Sequence, residues 1–295
     1  MTRVLVTGAS GFIGAALARD LRAAGVNVRT AARCALPGDH AIMDDLTRPA
    51  AWRAALTGVS AVVHLAGPAH ARPSAEGERA ITEGAAVLAR TAEEAGVTRV
   101  IYISSAHAAA KRTGVQPISE CDAPAPHDPY GRAKLAAEQT LLAHAALNPI
   151  ALRPPLVFAP DAKANFALLL RLAASPLPLP LAGVSNARSL ISRESVIAAV
   201  RAVLVAPGRA GGVFFIADRP ALSTSGIIAA LRRGLGRAPL LFPAGPLLAF
   251  APAPLRQSLA VDDSAFRAAF GYGARAHADT RADLEACARA WKAAA

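Results

Sequence analysis

The order of apolar and polar positions changes regularly along the first half of the chain. Short apolar runs alternate with longer segments in which apolar residues recur at helical spacing. The short runs predict strands at residues 3–7, 27–32, 41–43, 61–66, 99–104 and 150–152. The longer segments predict helices at residues 13–24, 81–94 and 128–145. Strands that alternate with helices are typical of an α/β fold built on a doubly wound parallel sheet.

The pattern changes after residue 155. Prolines and apolar helical segments dominate residues 156–181, and a strand at 212–217 precedes a helix at 224–235. We therefore divide the chain into a larger nucleotide-binding domain, residues 1–155, and a smaller C-terminal α/β lobe, residues 156–295, that binds substrate. Some segments of the lobe are expected to return to the main sheet.

Composition and charge narrow the classes of partner. The chain is 53% hydrophobic, which favours a packed globule over disorder. Its net charge is +11, mostly from arginine, but basic residues form no block and do not alternate with aromatic ones. We therefore expect no nucleic acid partner. A basic surface would instead attract anionic nucleotides, or would simply be solvated.

Cysteine usage and hydropathy bear on location. Cys34, Cys121 and Cys287 are too scattered for a disulfide framework or a metal site, which favours a cytoplasmic protein without a bound metal. No leader pattern precedes the first strand. Five prolines interrupt the uncharged stretch 238–255 and argue against a transmembrane segment. That stretch is either a buried loop-helix segment or a patch for a membrane surface or a partner.

Three glycines follow the first apolar run directly. Gly8, Gly11 and Gly14 are spaced three apart and lead into the first helical pattern. Such a strand, turn and helix start lets the backbone approach a pyrophosphate and offers it free N–H groups. The pattern predicts a dinucleotide-binding turn of the Rossmann type, and the alternative is a turn without a ligand.

A second group of residues carries acid–base chemistry. Tyr130 and Lys134 are four residues apart and therefore share one face of a predicted helix. A nearby ammonium favours the phenolate and lowers the pKa of a tyrosine. Ser105 follows the fifth predicted strand, at the sheet edge where ligands bind in open α/β folds. Its hydroxyl would either bind a reacting oxygen or cap the strand end.

The glycine turn, the strand-end serine and Tyr-x-x-x-Lys resemble the short-chain dehydrogenase/reductase superfamily. The glycine spacing, His-Leu-Ala-Gly at 64–67, Ile-Ser-Ser-Ala at 103–106 and Arg-Pro-Pro at 153–155 resemble its extended branch. That branch contains sugar-nucleotide epimerases, dehydratases and reductases. The sequences at 163–166 and 186–190 resemble a subgroup acting on UDP-linked 4-keto-6-deoxy-N-acetylhexosamines in polysaccharide synthesis.

The resemblance implies a role for each motif. Tyr130 is the general acid, Lys134 tunes it and holds the nicotinamide ribose, and Ser105 stabilises the reacting oxygen. The pyrophosphate and the adenosine side would be held by Gly8, Gly11, Phe12, Ile13, Gly14, Asp45, Leu46, Leu65, Ala66 and Gly67. The candidates for the diphosphate of the substrate are Asn165, Arg188 and Arg256.

Two departures from the family pattern bear on cofactor and reaction. Ala32 stands where NAD-dependent members place an acidic residue, and Arg33 follows, which favours NADP over NAD. Ala106 and His107 stand where dehydratases carry acidic residues, which disfavours dehydration. We therefore interpret the chain as a reductase of a nucleotide-linked keto-sugar. The alternatives are a 4-epimerase with retained NAD, a reductase of another small carbonyl compound, and a catalytically silent sensor or scaffold. The resemblance also suggests a homodimer.

Overall fold

The computed structural model describes residues 3–67, 74–206, 211–243, 245 and 252–294. The strands are β1 (Arg3–Thr7), β2 (Asn27–Ala32), β3 (His40–Ile42), β4 (Ala61–His64), β5 (Arg99–Ile103), β6 (Ile150–Arg153), β7 (Leu156–Phe158), β8 (Leu179–Ala182), β9 (Leu190–Ser192), β10 (Gly212–Phe215) and β11 (Leu241–Pro243). The helices are α1 (Gly14–Ala23), α2 (Pro49–Leu56), α3 (Ala75–Glu94), α4 (Pro129–Leu142), α5 (Ala164–Ala174), α6 (Arg193–Leu204), α7 (Thr224–Gly234), α8 (Ala253–Arg256), α9 (Ser264–Ala269) and α10 (Thr280–Ala294).

A parallel sheet of seven strands forms the centre of the molecule, in the order β10-β6-β5-β4-β1-β2-β3. The predicted α/β fold with a parallel sheet is confirmed. The chain begins at β1, moves outward to β3, and then returns to β4 on the other side of β1. This reversal creates a crevice at the carboxyl ends of β1 and β4, the place where such sheets bind ligands.

Both faces of the sheet are covered, which explains why the central strands bury apolar side chains at consecutive positions, as at residues 4–6 and 61–63. On one face, α1 and α6 bury side chains such as Leu17 and Val200. On the other, α2, α3 and α4 bury Trp52, Leu88 and Ala137. A separate apolar core joins α5, α7 and α10, beside the small pairs β7–β9 and β8–β11.

Most predicted elements match the structure to within three residues. Helix α3 is the exception, since it begins at Ala75 and not at residue 81. Ser74 causes the earlier start because its hydroxyl accepts a hydrogen bond from the N–H of Gly77 at 3.0 Å. Helices α2, α6, α8, α9 and α10 were not predicted. Strand β10 pairs with β6 although it comes late in the chain.

The described residues also bear on membrane insertion and on disulfide bonding. Within the described ranges, no helix is long and apolar enough to span a membrane. Cys34 and Cys121 are exposed, Cys287 is buried, and all three are free thiols. Part of the uncharged stretch 238–255 lies outside the described residues.

Candidate active site

The three glycines of the turn between β1 and α1 have little or no room for a side chain of their own. Gly8 has φ of +65°, and a Cβ there would lie 2.9 Å from the backbone nitrogen of Ala66. A Cβ on Gly14 would lie 2.3 Å from the carbonyl oxygen of Gly8, and one on Gly11 would lie 3.0 Å from the same atom. The first turn of α1 contains no acidic residue, and no side chain caps its start. This bare, N–H-rich turn fits the pyrophosphate of a dinucleotide.

The hydroxyl of Thr7, the last residue of β1, makes hydrogen bonds with the segment at the end of β4. Thr7 Oγ1 accepts hydrogen bonds from the N–H groups of Leu65 and Ala66, at 3.1 and 3.2 Å. It also lies 2.8 Å from His64 Nδ1. Burial, with a contribution from the charge of Lys134, lowers the pKa of His64 to about 3. The ring is therefore neutral. Because the Thr7 oxygen already accepts two hydrogen bonds, its hydroxyl proton is assigned to Nδ1. This contact orients the backbone of residues 65–67 beside the glycine turn.

The other residues predicted on the adenosine side also follow parallel strands, and so they share the same edge of the sheet. Arg33 is exposed directly after β2, and Asp45 is exposed after β3. Asp45 accepts hydrogen bonds from the N–H and the hydroxyl of Thr47, which lower the pKa of its carboxyl. The carbonyl of Leu46 accepts a hydrogen bond from Trp52 Nε1 at 2.7 Å, which fixes this segment against α2.

Helix α4 carries Tyr130 and Lys134 to the end of β5. Asp128 caps the helix by accepting the N–H of Gly131 at 2.8 Å. A Cβ on Gly131 would lie only 2.3 Å from the carbonyl oxygen of His107, so this glycine permits close approach of the helix to the strand end. The structure thereby brings the tyrosine, the lysine and the strand-end serine together, as their spacing predicts.

Burial dominates the electrostatics of the pair. Lys134 is 6% exposed, and its Nζ donates to the carbonyl of Ile103 at 2.9 Å. The same atom lies 4.6 Å from the ring centroid of Tyr102 and 5.9 Å from that of Tyr130. Burial lowers the pKa of Lys134 to about 8. It raises the pKa of Tyr130 to about 12, against the opposing effect of a hydrogen bond with Ser105. Tyr130 is therefore protonated at neutral pH, and the lowered pKa expected from its spacing to Lys134 is not found, because burial outweighs any effect of the ammonium.

Ser105 and His107 complete the polar cluster after β5. The Ser105 hydroxyl accepts the N–H of His107 at 3.2 Å and also makes a hydrogen bond with Tyr130. His107 Nδ1 lies 3.1 Å from Asp128 Oδ2. Its ring centroid is 6.5 Å from that of Tyr130, with the planes at 70°.

A buried ion pair supports this face of α4. Glu138 lies two turns beyond Tyr130, and its carboxylate accepts three hydrogen bonds from the Arg153 guanidinium, at 2.6 to 3.2 Å. The Ser104 hydroxyl also donates to Glu138. The carboxylate and guanidinium side chains are 0% and 5% exposed. Neither this pair nor the contact between Thr7 and His64 was predicted. The available signal was a polar residue inside an otherwise apolar element.

The residues predicted to bind the substrate diphosphate lie on separate elements. Asn165 is exposed in the first turn of α5. Arg188 is half-buried, its Nη1 donates to the carbonyl of Gln257 at 3.2 Å, and burial lowers its pKa. Arg256 is exposed at the end of α8, next to Gln257. The structure thus brings Arg188 close to the segment of Arg256.

Comparison with known proteins identifies the family. Residues 4–217 match the model of the NAD dependent epimerase/dehydratase family. The UDP-glucose 4-epimerase of Vibrio cholerae is 32% identical over 249 residues, which are 79% of this chain and 76% of that protein. The structure of MoeE5 in complex with UDP-glucose and NAD is 28% identical, covers 99% of both chains and gives a TM-score of 0.81.

A more distant structure supports the fold alone. The UDP-N-acetylglucosamine 4-epimerase of Bacillus cereus is 19% identical, has a TM-score of 0.84, and is matched over 99% of this chain and 100% of that one. The match of the family model to most of the chain, together with the 32% identity to a relative that is aligned over 76% of its length, confirms the resemblance to the extended branch. The chain is an enzyme that belongs to the NAD dependent epimerase/dehydratase family.

Proposed function

We propose that the protein transfers hydride between a nicotinamide cofactor and a carbon of a nucleotide-linked sugar, preferentially as a reductase of a 4-keto-6-deoxy-N-acetylhexosamine bound to UDP. The observation that carries this proposal is the cluster at the end of β5. It combines a protonated Tyr130, a hydroxyl hydrogen bond from Ser105 and a buried ammonium at Lys134. This arrangement is suited to protonating an oxygen as its carbon accepts hydride.

Each residue then has a distinct task. The glycine turn at Gly8, Gly11 and Gly14 holds the pyrophosphate, and residues 65–67 line the adenosine and ribose side. The bound cofactor supplies the hydride. Tyr130 donates its proton to the carbonyl oxygen, which becomes a hydroxyl. The Ser105 hydroxyl donates a hydrogen bond to the same oxygen as negative charge develops on it. The ammonium of Lys134 stabilises the phenolate that Tyr130 becomes.

The nucleotide-linked substrate is supported by relatives and by placement. MoeE5 was solved with UDP-glucose and NAD, and the Vibrio cholerae relative acts on a UDP-sugar by its name. We assign the diphosphate to Asn165, Arg188 and Arg256, because each guanidinium can donate two parallel hydrogen bonds to phosphate and the asparagine amide can donate as well. Titration of UDP against the wild type and Arg188→Lys tests this assignment. An unchanged affinity would contradict it.

We further propose that NADP is preferred. This preference is supported by Ala32, which stands at the end of β2 in place of an acidic residue, and by the exposed Arg33 that follows it, whose guanidinium could bind a 2′-phosphate. The structures of MoeE5 contain NAD, so both dinucleotides need to be measured. Arg33→Ala should weaken NADPH binding and leave NADH binding unchanged. An equal effect on both would refute the preference.

The 4-epimerase is a second candidate, favoured by the identity to the Vibrio cholerae enzyme. The two reactions differ in whether they consume NAD(P)H. A reductase consumes one NAD(P)H per sugar, whereas an epimerase interconverts UDP-sugars without net redox change. The purified protein is therefore incubated with UDP-4-keto-6-deoxy-N-acetylglucosamine and NADPH, and separately with UDP-glucose alone. Conversion of UDP-glucose to UDP-galactose on retained NAD would establish the epimerase in place of the reductase.

A silent sensor or scaffold is tested by one substitution. Tyr130→Phe removes the proton donor but keeps the ring, so turnover should be abolished while cofactor binding persists. Turnover equal to that of the wild type would refute the mechanism. A wild type that binds the cofactor but converts none of these sugars would favour the scaffold.

A further inference from the structure

A histidine–aspartate pair lies at the rim of the candidate site. His107 belongs to a short 3-10 turn after β5, and Asp128 is the residue that caps α4. The imidazole Nδ1 is 3.1 Å from one carboxylate oxygen, and the other oxygen accepts the N–H of Gly131 at 2.8 Å. A single carboxylate therefore holds the imidazole and fixes the start of the helix that carries Tyr130.

The imidazole of this pair is exposed to solvent and also contacts the partly buried ring of Tyr130. The side chain of His107 is 36% exposed, and its ring packs edge-to-face against Tyr130 with 6.5 Å between centroids. Lys134, a second titratable cation near Tyr130, is only 6% exposed and donates to the carbonyl of Ile103. Lys111, on the segment after the 3-10 turn, also acts electrostatically on Asp128. Among these cations, His107 combines contact with the phenol and access to water.

Net reduction of the carbonyl requires a group that returns a proton to Tyr130 after each turnover. Each turnover adds one hydride and one proton to the carbonyl, and the proton leaves Tyr130 as a phenolate. Burial makes that phenolate unfavourable, since it raises the pKa of Tyr130 to about 12. The phenol must be restored before the next turnover, and its proton must come from solvent through some route.

We propose that His107, held by Asp128, is the proton relay between solvent and Tyr130. The imidazolium gives the proton on its second ring nitrogen, Nε2, to the phenolate oxygen, directly or across one water molecule. The Nδ1–H stays bonded to Asp128, and the neutral ring then takes a proton from solvent. No group is oxidised or reduced in this step. The inference rests on the proposed function, because an epimerase returns the proton of Tyr130 within each cycle and needs no relay.

The relay predicts a difference between the first and later turnovers. NADPH consumption is followed at 340 nm by stopped flow, with UDP-4-keto-6-deoxy-N-acetylglucosamine as substrate. In His107→Ala the first turnover should keep the wild-type rate, because Tyr130 begins protonated. The steady-state rate should fall on the order of 10²-fold, the usual contribution of a proton-transferring side chain. Added imidazole should restore the steady-state rate in proportion to its concentration.

Two further variants separate relay from structure. Asp128→Asn keeps a good helix cap but removes the charge that holds the imidazolium, so it should lower the steady-state rate and leave the thermal midpoint close to wild type. In ¹⁵N spectra of the free protein, the Nδ1–H tautomer of His107 should be lost in this variant. The matched control is His144→Gln, because His144 makes a similar contact with Glu93, at 2.9 Å, on another part of the surface. It should change neither rate.

The outcomes distinguish the relay from the function on which it rests. An unchanged steady-state rate in His107→Ala, or a loss that imidazole does not restore, would overturn the relay while an inactive Tyr130→Phe upholds the site. An active Tyr130→Phe, or a wild type that consumes no NADPH with this substrate, would overturn both.

Discussion

Removing the carboxylate of Glu138 should destabilise the whole fold. Its side chain and that of Arg153 are 0% and 5% exposed, and the guanidinium donates to the carboxylate at 2.6 to 3.2 Å. In Glu138→Ala the arginine charge stays buried without its partner. Loss of one member of a buried pair costs about 3–5 kcal/mol of the free energy of unfolding. This lowers the thermal midpoint by roughly 6–20 °C for a chain of this size class.

The assay is unfolding in urea and in a calorimeter, with Arg153→Met and the double variant completing a cycle. The double variant should be less destabilised than the sum of the single ones, because neither buried charge remains. The control is the exposed pair Arg53 and Glu94, whose side chains are 61% and 54% exposed. Glu94→Ala should change stability by less than about 1 kcal/mol.

One result would refute this reasoning. If Glu138→Ala lost no more stability than Glu94→Ala, the buried arginine would have found water or another acceptor. The pair would then not be what fixes α4 to β6, and the position of Tyr130 on that helix would need another cause.

Three further predictions concern the strand ends. The pKa of Lys134 is lowered to about 8, so its ammonium is present below that pH. We therefore expect kcat/KM to fall as the pH rises through about 8. A pH profile that stays flat to about pH 10 would contradict a role for the ammonium. The pKa of His64 is lowered from 6.5 to about 3, so neutral His64 contributes stability that is complete above pH 6.5 and is lost as the pH falls towards 3. In His64→Gln the thermal midpoint should therefore decrease less steeply with acid than in the wild type. Equal slopes of thermal midpoint against pH in the two proteins would refute this. Gly14→Ala places a Cβ 2.3 Å from the Gly8 carbonyl oxygen and should weaken NADPH binding at least about tenfold in a fluorescence titration. The control Gly114→Ala should not weaken it, because the space around Gly114 is open. Equal affinities of the two variants for NADPH would show that the turn adapts to the added Cβ.

Local patterns in the sequence were sufficient for much of the fold. A parallel strand covered on both faces is buried at consecutive positions, and β5 shows this, because the four residues that follow Arg99 are apolar or aromatic and all five residues are buried. The glycine turn was predictable because a positive φ at Gly8 and the contact at Gly14 exclude side chains. Helix α2 was missed because it has only eight residues and begins at a proline. Strand β10 could be recognised as a strand, but not as the neighbour of β6.

The candidate site likewise contains residues that could be predicted from the sequence and residues that could not. Tyr130 and Lys134 were recognisable because one helical turn places them on one face. His64 and Thr7 were not recognisable as partners, since 57 residues separate them and only the pairing of β1 with β4 brings them together. Glu138 and Arg153 are likewise joined by the packing of α4 against the sheet.

The sequence by itself determined the alternation of strands and helices, the bare glycine turn and the spacing of the acid–base pair, because each depends on residues close in the chain. Tertiary structure alone decided the order of the strands, the protonation of Tyr130, Lys134 and His64, and the partner of each buried polar group. Those properties depend on desolvation and on contacts between distant segments, and both arise only when the sheet and its helices have packed.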